Sequence, residues 1–91
     1  MVKTILITGA TDGIGKHLAK KLASEGHHVI LHGRNPQKLE LALQEVRAVS
    51  LRCRVSNYLA DFSKLDDVYR FVEEIKRDFQ SIDVLFNNAG L

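Results

Sequence analysis

The sequence contains very little cysteine, proline or tryptophan: one, one and none among its 91 residues. Cys53 has no second thiol to pair with, so the chain can form no internal disulfide and offers no cysteine-based metal site. The histidines share no metal-ligand spacing with Cys53 or with acidic residues, so we predict no metal site and place them on the surface or at strand ends. They are His17, His27, His28 and His32.

Long apolar runs and a strong net charge are also missing. No apolar segment approaches the roughly 20 residues of a membrane-spanning helix, and no signal-peptide pattern precedes the first strand. We therefore expect no membrane partner and a cytoplasmic protein. The 13 basic and 11 acidic residues are spread along the chain and leave a net charge of +2, without a basic stripe. Nucleic acid is therefore not an expected partner.

Short apolar runs alternate with longer amphipathic segments along the chain. This alternation predicts an α/β fold in which four parallel strands alternate with three helices, within a single domain spanning residues 1–91. The predicted strands lie at 5–7, 29–31, 55–60 and 84–86. With strand order 3-2-1-4 and right-handed crossovers, the first two helices cover one face of the sheet and the third covers the other.

Individual residues predict where the helices begin and end. The first helix runs from about residue 13 to 24, and Gly26 suits its left-handed C-terminal cap. Asn35 can cap the second helix, with Pro36 in its first turn, and Ser63 can cap the third. The third helix has the clearest period, because its apolar residues recur at spacings of three and four. They are Val68, Phe71, Val72, Ile75 and Phe79.

A glycine-rich turn joins the first strand to the first helix. Gly9, Gly13 and Gly15 stand in this turn, where unpaired backbone N–H groups at the helix N-terminus form an anion site. The alternative is a plain tight connection between strand and helix. Lys16 is followed by His17 instead of a serine or threonine, which argues against a phosphate-loop ATPase or GTPase.

Three motifs together resemble the short-chain dehydrogenase/reductase family. They are Thr8-Gly9-Ala10-Thr11-Asp12-Gly13-Ile14-Gly15, Asp61 at the end of the third strand, and Asn87-Asn88-Ala89-Gly90 after the fourth. They stand in the family's order and at its distances. The resemblance covers the whole chain. In the family, this stretch is only the N-terminal, cofactor-binding part of a Rossmann-like, doubly wound domain, so the chain is expected to form an incomplete domain of that kind.

The resemblance implies a dinucleotide cofactor and a set of residues that bind it. The backbone of Gly13, Ile14 and Gly15 would face the pyrophosphate, Asp61 and Phe62 would border the adenine, and Asn88-Ala89-Gly90 would line the cofactor cleft. Asp61 could instead terminate a strand or cap a helix, and Asn88 could belong to a plain turn. The full predicted set is Gly9, Thr11, Asp12, Gly13, Ile14, Gly15, Arg34, Asn35, Asp61, Phe62, Asn88, Ala89 and Gly90.

The end of the second strand predicts which cofactor is preferred. A fold selective for NAD usually has an acid there, whereas this chain has His32-Gly33-Arg34-Asn35. Gly33 leaves room, and the planar fork of Arg34 matches a phosphate. We predict NADP as the preferred cofactor, with NAD possible; the alternative is a solvated arginine on a loop. Asp12 stands where some NADP-preferring relatives have a basic residue, so it either weakens phosphate affinity or caps the helix.

No catalytic residue is expected among these 91 residues. Reductases of the family use a Tyr-x-x-x-Lys pair, but Tyr58 is followed four places on by Phe62, and Tyr69 by Glu73. We therefore expect cofactor binding without catalysis, with an alcohol or carbonyl substrate bound only in a complete protein. A non-catalytic dinucleotide sensor or scaffold is the alternative, and the glycine spacing disfavours a sugar-nucleotide epimerase. The open edge of the fourth strand predicts self-association.

Overall fold

A computed structural model of the chain describes residues 1–50 and 54–88. Four strands and three helices alternate in it, and the strands pair in parallel in the order β3-β2-β1-β4. The predicted fold class and strand order are therefore confirmed. The elements are β1 (Thr4–Thr8), α1 (Gly13–Ser24), β2 (His28–Gly33), α2 (Pro36–Val49), β3 (Val55–Leu59), α3 (Leu65–Asp78) and β4 (Val84–Asn87). Cys53, Ala89 and Gly90 lie outside the described residues.

The sheet is covered on both faces, as the crossover rule predicts. Ile5 and Ile7 of β1 pack toward α1 and α2, whereas Leu6 between them packs toward α3. This alternation follows from the two-residue period of a strand, and it explains why the apolar run of β1 is unbroken. On the α3 side, Phe71 and Ile75 are buried against the sheet.

The helix ends agree with the sequence at two positions and differ at a third. Gly26 has a φ of 93°, which confirms the left-handed end of α1, and Asn35 caps α2 through its side chain. The prediction that Ser63 caps α3 is wrong: the cap position is Lys64, and no side chain accepts a hydrogen bond there. The reason is that the Ser63 hydroxyl donates to the Asp61 carboxylate at 2.7 Å instead.

The β4 side of the sheet is much less covered than the centre. Val84, Leu85 and Phe86 are 40%, 61% and 37% exposed, respectively, and β4 is an edge strand. On α3, Val72 is 44% exposed, so only part of the apolar stripe that the sequence predicts is buried. Over residues 1–50 and 54–88, no helix has the length and apolar character that crossing a membrane requires.

Candidate functional site

A pocket of about 310 Å³ opens at the carboxyl ends of β1, β2 and β3. It gathers the glycine turn, the end of β2 and the segment after β3 into one concave surface, at the edge where open α/β sheets bind ligands. Six of the predicted site residues line it: Gly9, Thr11, Asp12, Arg34, Asp61 and Phe62. The other lining residues are His32, Gly33, Ala60 and Ser63.

The backbone of the glycine turn has a conformation that residues other than glycine rarely adopt. Gly9 and Gly13 have φ values of 63° and 54°, in the left-handed region. A Cβ added at Gly13 would meet nothing within 4 Å, so Gly13 is required by its backbone conformation and leaves open space around it. Ile14, next to it, is 73% exposed. The first two residues of α1 are therefore exposed to solvent, whereas Gly15 is buried.

The N-terminus of α1 has no side-chain cap. Asp12 occupies the cap position, but its carboxylate accepts no hydrogen bond from the helix. It pairs instead with the Lys38 ammonium, 3.2 Å away. The alternative in which the Asp12 side chain caps α1 is therefore wrong, because the carboxylate is drawn to a cation on α2. The first-turn N–H groups are left to bind an external acceptor.

Gly15 and Asn88 hold the glycine turn against β4 and do not line the pocket. A Cβ at Gly15 would lie 2.5 Å from the Gly9 carbonyl oxygen and 2.6 Å from the Asn88 side-chain nitrogen. The Asn88 amide donates to that same carbonyl at 3.0 Å, and its backbone N–H donates to the Thr8 hydroxyl at 2.9 Å. The Asn88 side chain is thus bonded to the glycine turn instead of its own backbone. Its place in a cofactor cleft stays a prediction.

Arg34 extends from the end of β2 at the mouth of the pocket and is exposed. Across residues 1–50 and 54–88, its guanidinium makes no hydrogen bond or ion pair. The space that Gly33 leaves is occupied, since a Cβ there would lie 2.5 Å from the Thr11 methyl carbon. Asn35 uses its side-chain oxygen to cap α2 and does not line the pocket. Arg34 is therefore a positive group with unused donors.

Asp61 closes the opposite side of the pocket. Its carboxylate accepts hydrogen bonds from the Ser63 hydroxyl and the Ser63 backbone N–H, at 2.7 Å and 3.0 Å. These two bonds, the hydroxyl's first, lower the pKa of Asp61, and the nearby charges of Lys64 and Arg34 add to that effect. The backbone N–H of Asp61 in turn donates to Asp67 at 2.8 Å. An ionised carboxylate is therefore fixed beside the pocket.

His32 is the residue of the site that the sequence analysis missed. It lies near the end of β2, as predicted, but it is 4% exposed and not on the surface. Its ring stacks on Phe62 with centroids 4.0 Å apart and an interplanar angle of 6°. Burial lowers the pKa of His32, and the hydrogen bond to the Ala60 carbonyl partly opposes that shift. A histidine directly after the apolar run of a predicted buried strand is the signal that could have found it.

Metal binding finds no support in the described part of the chain. There, no group of three or more histidine, cysteine or acidic side chains lies close enough together to hold a metal ion. His17 is exposed, and His27 uses its Nδ1 to accept from the Lys3 backbone N–H at 3.1 Å.

Comparisons with known proteins agree on a family. The family model described as short chain dehydrogenase matches residues 3–91. Retinol dehydrogenase 13 of Mus musculus is 36% identical to the chain over 89 residues. Among solved structures, NAD⁺-bound xylitol dehydrogenase has a TM-score of 0.86 at 38% identity. L-sorbose reductase from Gluconobacter frateurii, complexed with NADPH and L-sorbose, has a TM-score of 0.86 at 32% identity.

These relatives are much longer than the chain. The match to retinol dehydrogenase 13 covers 98% of this chain and 27% of the relative. The matches to the xylitol dehydrogenase and L-sorbose reductase structures cover 98% and 99% of this chain, and 34% of each of those chains. The chain therefore spans between a quarter and about a third of each relative.

Proposed function

This chain belongs to the short-chain dehydrogenase family, and on that premise we propose that it is the dinucleotide-binding part of an oxidoreductase that prefers NADP to NAD. One observation carries the proposal: a single pocket brings together the glycine turn, the unpaired Arg34 and the Asp61-Phe62 segment. Its volume of about 310 Å³ falls within the range of roughly 300–1,000 Å³ for small-molecule sites. The pocket would hold the adenosine half of the cofactor.

The chemistry of the pocket fits a nucleotide that carries phosphates. The uncapped first turn of α1 presents backbone N–H groups and the positive end of a helix dipole, which suit the pyrophosphate. Phe62 and the pocket-facing surface of Ala60 offer apolar contact for a base. Asp61 supplies a hydrogen-bond acceptor for an amino group or a hydroxyl.

Arg34 supports the preference for NADP. An unpaired guanidinium at the mouth of the pocket can bind a 2′-phosphate through two parallel hydrogen bonds. One hydrogen bond to a charged group contributes about 1.5–3 kcal/mol net, or roughly 10- to 150-fold in affinity. Asp12 lowers this preference through its negative charge, but Lys38, 3.2 Å away, neutralises it in part.

In a complete protein, the bound nicotinamide would exchange hydride with an alcohol or carbonyl substrate. The residues of this chain would bind and orient the cofactor, and they include no Tyr-x-x-x-Lys pair to exchange the proton. The names of the relatives support this substrate class, since retinol and xylitol are alcohols and L-sorbose is a carbonyl sugar.

Calorimetric titration of the chain with two nucleotides tests the proposal. Adenosine 2′,5′-bisphosphate and 5′-AMP represent the adenosine halves of NADP and NAD and need no nicotinamide site. We expect the bisphosphate to bind more tightly, and we expect Arg34→Ala to weaken its binding by about 10-fold or more while changing AMP binding little. Arg47→Ala is the matched control, because Arg47 is exposed in the last turn of α2, at the opposite edge of the sheet. An equal loss for both nucleotides would contradict the role of Arg34.

We also propose that the chain by itself associates with a second copy through β4. This edge strand exposes three apolar side chains, and Val84–Asn87 carries no charge, so two copies can pair without facing like charges. Sedimentation velocity at micromolar concentration should show a dimer or larger species, and Leu85→Lys should shift it to monomer. Leu41→Lys is the control, since Leu41 is 60% exposed on α2. A monomeric wild-type chain would refute the proposal.

A further inference from the structure

His32 lies at the junction of three strands and contacts each wall of the pocket. We propose that it is the positioning residue of this site: as a neutral imidazole it ties the glycine turn to the end of β3 and fixes the ring of Phe62. Nucleotide binding then requires His32 to remain unprotonated. This inference rests on the proposed function, because it assigns the residue that holds the nucleotide pocket in shape.

Three hydrogen bonds tie His32 to its neighbours. Its Nδ1 accepts from the Gly9 backbone N–H at 3.0 Å, and its own carbonyl oxygen accepts from the Ala10 N–H at 2.9 Å. On the other side of the ring, Nε2 lies 2.9 Å from the Ala60 carbonyl oxygen and donates to it. One residue thus connects the turn after β1 with the residue that follows β3.

These contacts assign a single tautomer. A backbone N–H can only donate, so Nδ1 must be unprotonated opposite Gly9; a carbonyl can only accept, so Nε2 must carry the proton opposite Ala60. Protonation of Nδ1 would set two N–H groups against each other and break the bond to Gly9. The Gly9 N–H would then be left without its acceptor, at a position where φ is 63° and the turn approaches the anion site.

Aromatic contacts connect His32 to the side of the pocket that we assign to the adenine base. The His32 ring lies parallel to Phe62 at 4.0 Å and edge-on to Phe71 at 5.4 Å. Phe62 is in the pocket lining and Phe71 is buried in the core, and their ring centroids are 5.2 Å apart, so the imidazole and Phe71 together hold Phe62 in place. A tilt of the imidazole would therefore move the wall that we assign to the adenine.

Groups of both charge signs lie near His32, and burial has the largest effect on its pKa. Acidic groups stand in the glycine turn, after β3 and on α3, and a cation follows directly after β2. A tyrosine lies beside it on β3. Burial disfavours the imidazolium and lowers the pKa of His32, which keeps the neutral form at physiological pH. These groups are Asp12, Asp61, Asp67, Arg34 and Tyr58.

Two measurements on the intact chain test this role. The first is the long-range ¹H–¹⁵N spectrum of the imidazoles without ligand. It should show His32 as the Nε2–H tautomer, with a pKa below the ordinary 6.5. An Nδ1–H tautomer, or a pKa of His32 at or above the ordinary value, overturns the inference. This measurement needs no variant, so it decides even if substitutions at His32 prevent folding.

The second measurement is the pH dependence of binding of adenosine 2′,5′-bisphosphate to wild type and to His32→Asn. Asparagine can keep an acceptor for the Gly9 N–H but cannot titrate. Because phosphate groups themselves titrate near pH ~6, the readout is the affinity of wild type divided by that of His32→Asn. We expect this ratio to fall by up to about tenfold per pH unit below the pKa of His32. His17→Asn should track wild type.

The outcomes separate this inference from the proposed function. If wild type binds the bisphosphate and the affinity ratio does not change with pH, His32 is only a core residue and the inference is wrong. If wild type binds neither nucleotide at any pH, the proposed function is wrong, and the pocket has no ligand for His32 to position.

Discussion

Helices α1 and α2 begin at the same edge of the sheet but satisfy their first N–H groups in different ways. At α2, the Asn35 side-chain oxygen accepts from the Lys38 backbone N–H at 3.0 Å, and Pro36 has no N–H to satisfy. At α1, Asp12 occupies the corresponding position, but its carboxylate bonds the Lys38 ammonium instead. One helix start is thus closed by its own sequence, and the other is left open.

The start of α2 stabilises its own helix, whereas the start of α1 leaves N–H groups that can bind a ligand. The open start of α1 follows a turn with two glycines in the left-handed region, which costs backbone entropy on folding. The closed start of α2 follows a residue with extended backbone and a preset proline. We therefore expect lower local stability where we assign the phosphate site and higher local stability at the start of the neighbouring helix. Substitutions that change one helix start at a time test this difference.

Gly15→Ala should have the largest effect. Its Cβ would lie 2.5 Å from the Gly9 carbonyl oxygen, which is part of the turn and cannot move freely. We expect a loss of about 3 kcal/mol, at the upper end of overpacking, or a decrease in melting temperature of roughly 12–24 °C. Circular dichroism melts measure it. Gly13→Ala is the matched control: it has no clash, and only its φ of 54° costs energy, about 1–2 kcal/mol. A smaller loss at Gly15 than at Gly13 would refute the packing role.

Asn35→Ala should have the next largest effect, because it removes the cap of α2. The expected loss is about 1 kcal/mol, or roughly 4–8 °C in melting temperature, with nucleotide affinity unchanged. Asp12→Ala should leave the melting temperature nearly unchanged, since no cap hydrogen bond is lost. Equal destabilisation by the two substitutions would remove the distinction between a closed and an open start.

Asp12→Asn should have a smaller effect, on binding instead of stability. Removing the carboxylate takes a negative charge away from the N-terminus of α1 and frees Lys38. We expect adenosine 2′,5′-bisphosphate to bind about 1.5- to 5-fold more tightly, equivalent to ~0.3–1 kcal/mol, in a calorimetric titration at low salt. Glu73→Gln on α3 is the exposed control and should change nothing. Weaker binding by Asp12→Asn would mean that the carboxylate itself contacts the ligand.

The start of α3 provides the smallest predicted effect, which depends on pH. The two hydrogen bonds from Ser63 lower the pKa of Asp61 below its ordinary 3.8, so the folded chain takes up a proton less readily than the unfolded chain. The stabilisation is therefore complete above that ordinary value and is lost as pH falls below it. Ser63→Ala should reduce the loss of thermal stability on acidification. Thermal melts recorded between neutral pH and pH 3 or so measure this loss. If the melting temperature of Ser63→Ala falls with acidification as much as that of wild type, Ser63 does not set the titration of Asp61.

The sequence predicted most of the fold because its signals are local. The unbroken run of Ile5 to Ile7, the three- and four-residue spacing of α3 and the Asn35-Pro36 pair each act within a few residues. The order β3-β2-β1-β4 is that of the Rossmann-like fold, and the handedness of the crossovers then placed the helices on the two faces. The prediction for Ser63 failed at the same local level, since its hydroxyl had a second partner, Asp61, two residues before it.

The candidate site was predicted only in part. Gly9 and Asp61 line the pocket and are marked in the sequence by strand ends, and Arg34 lines it where an acid is expected, whereas Gly13 and Gly15 do not line it. The partner of Asp12 was missed, because Lys38 lies 26 residues further along the chain. Asn35 was included in the site, but its side chain turns to its own helix.

The sequence by itself determined the element order, the parallel sheet, the glycine turn and the capped start of α2, because each depends on neighbours in the chain or on the handedness of its connections. Only the tertiary structure decided that His32 is buried between Gly9 and Ala60, and that Asn88 holds the carbonyl of Gly9. These bonds join residues 23, 28 and 79 positions apart. Their partners meet only once the parallel strands bring their carboxyl ends to one edge, so no local pattern could predict them.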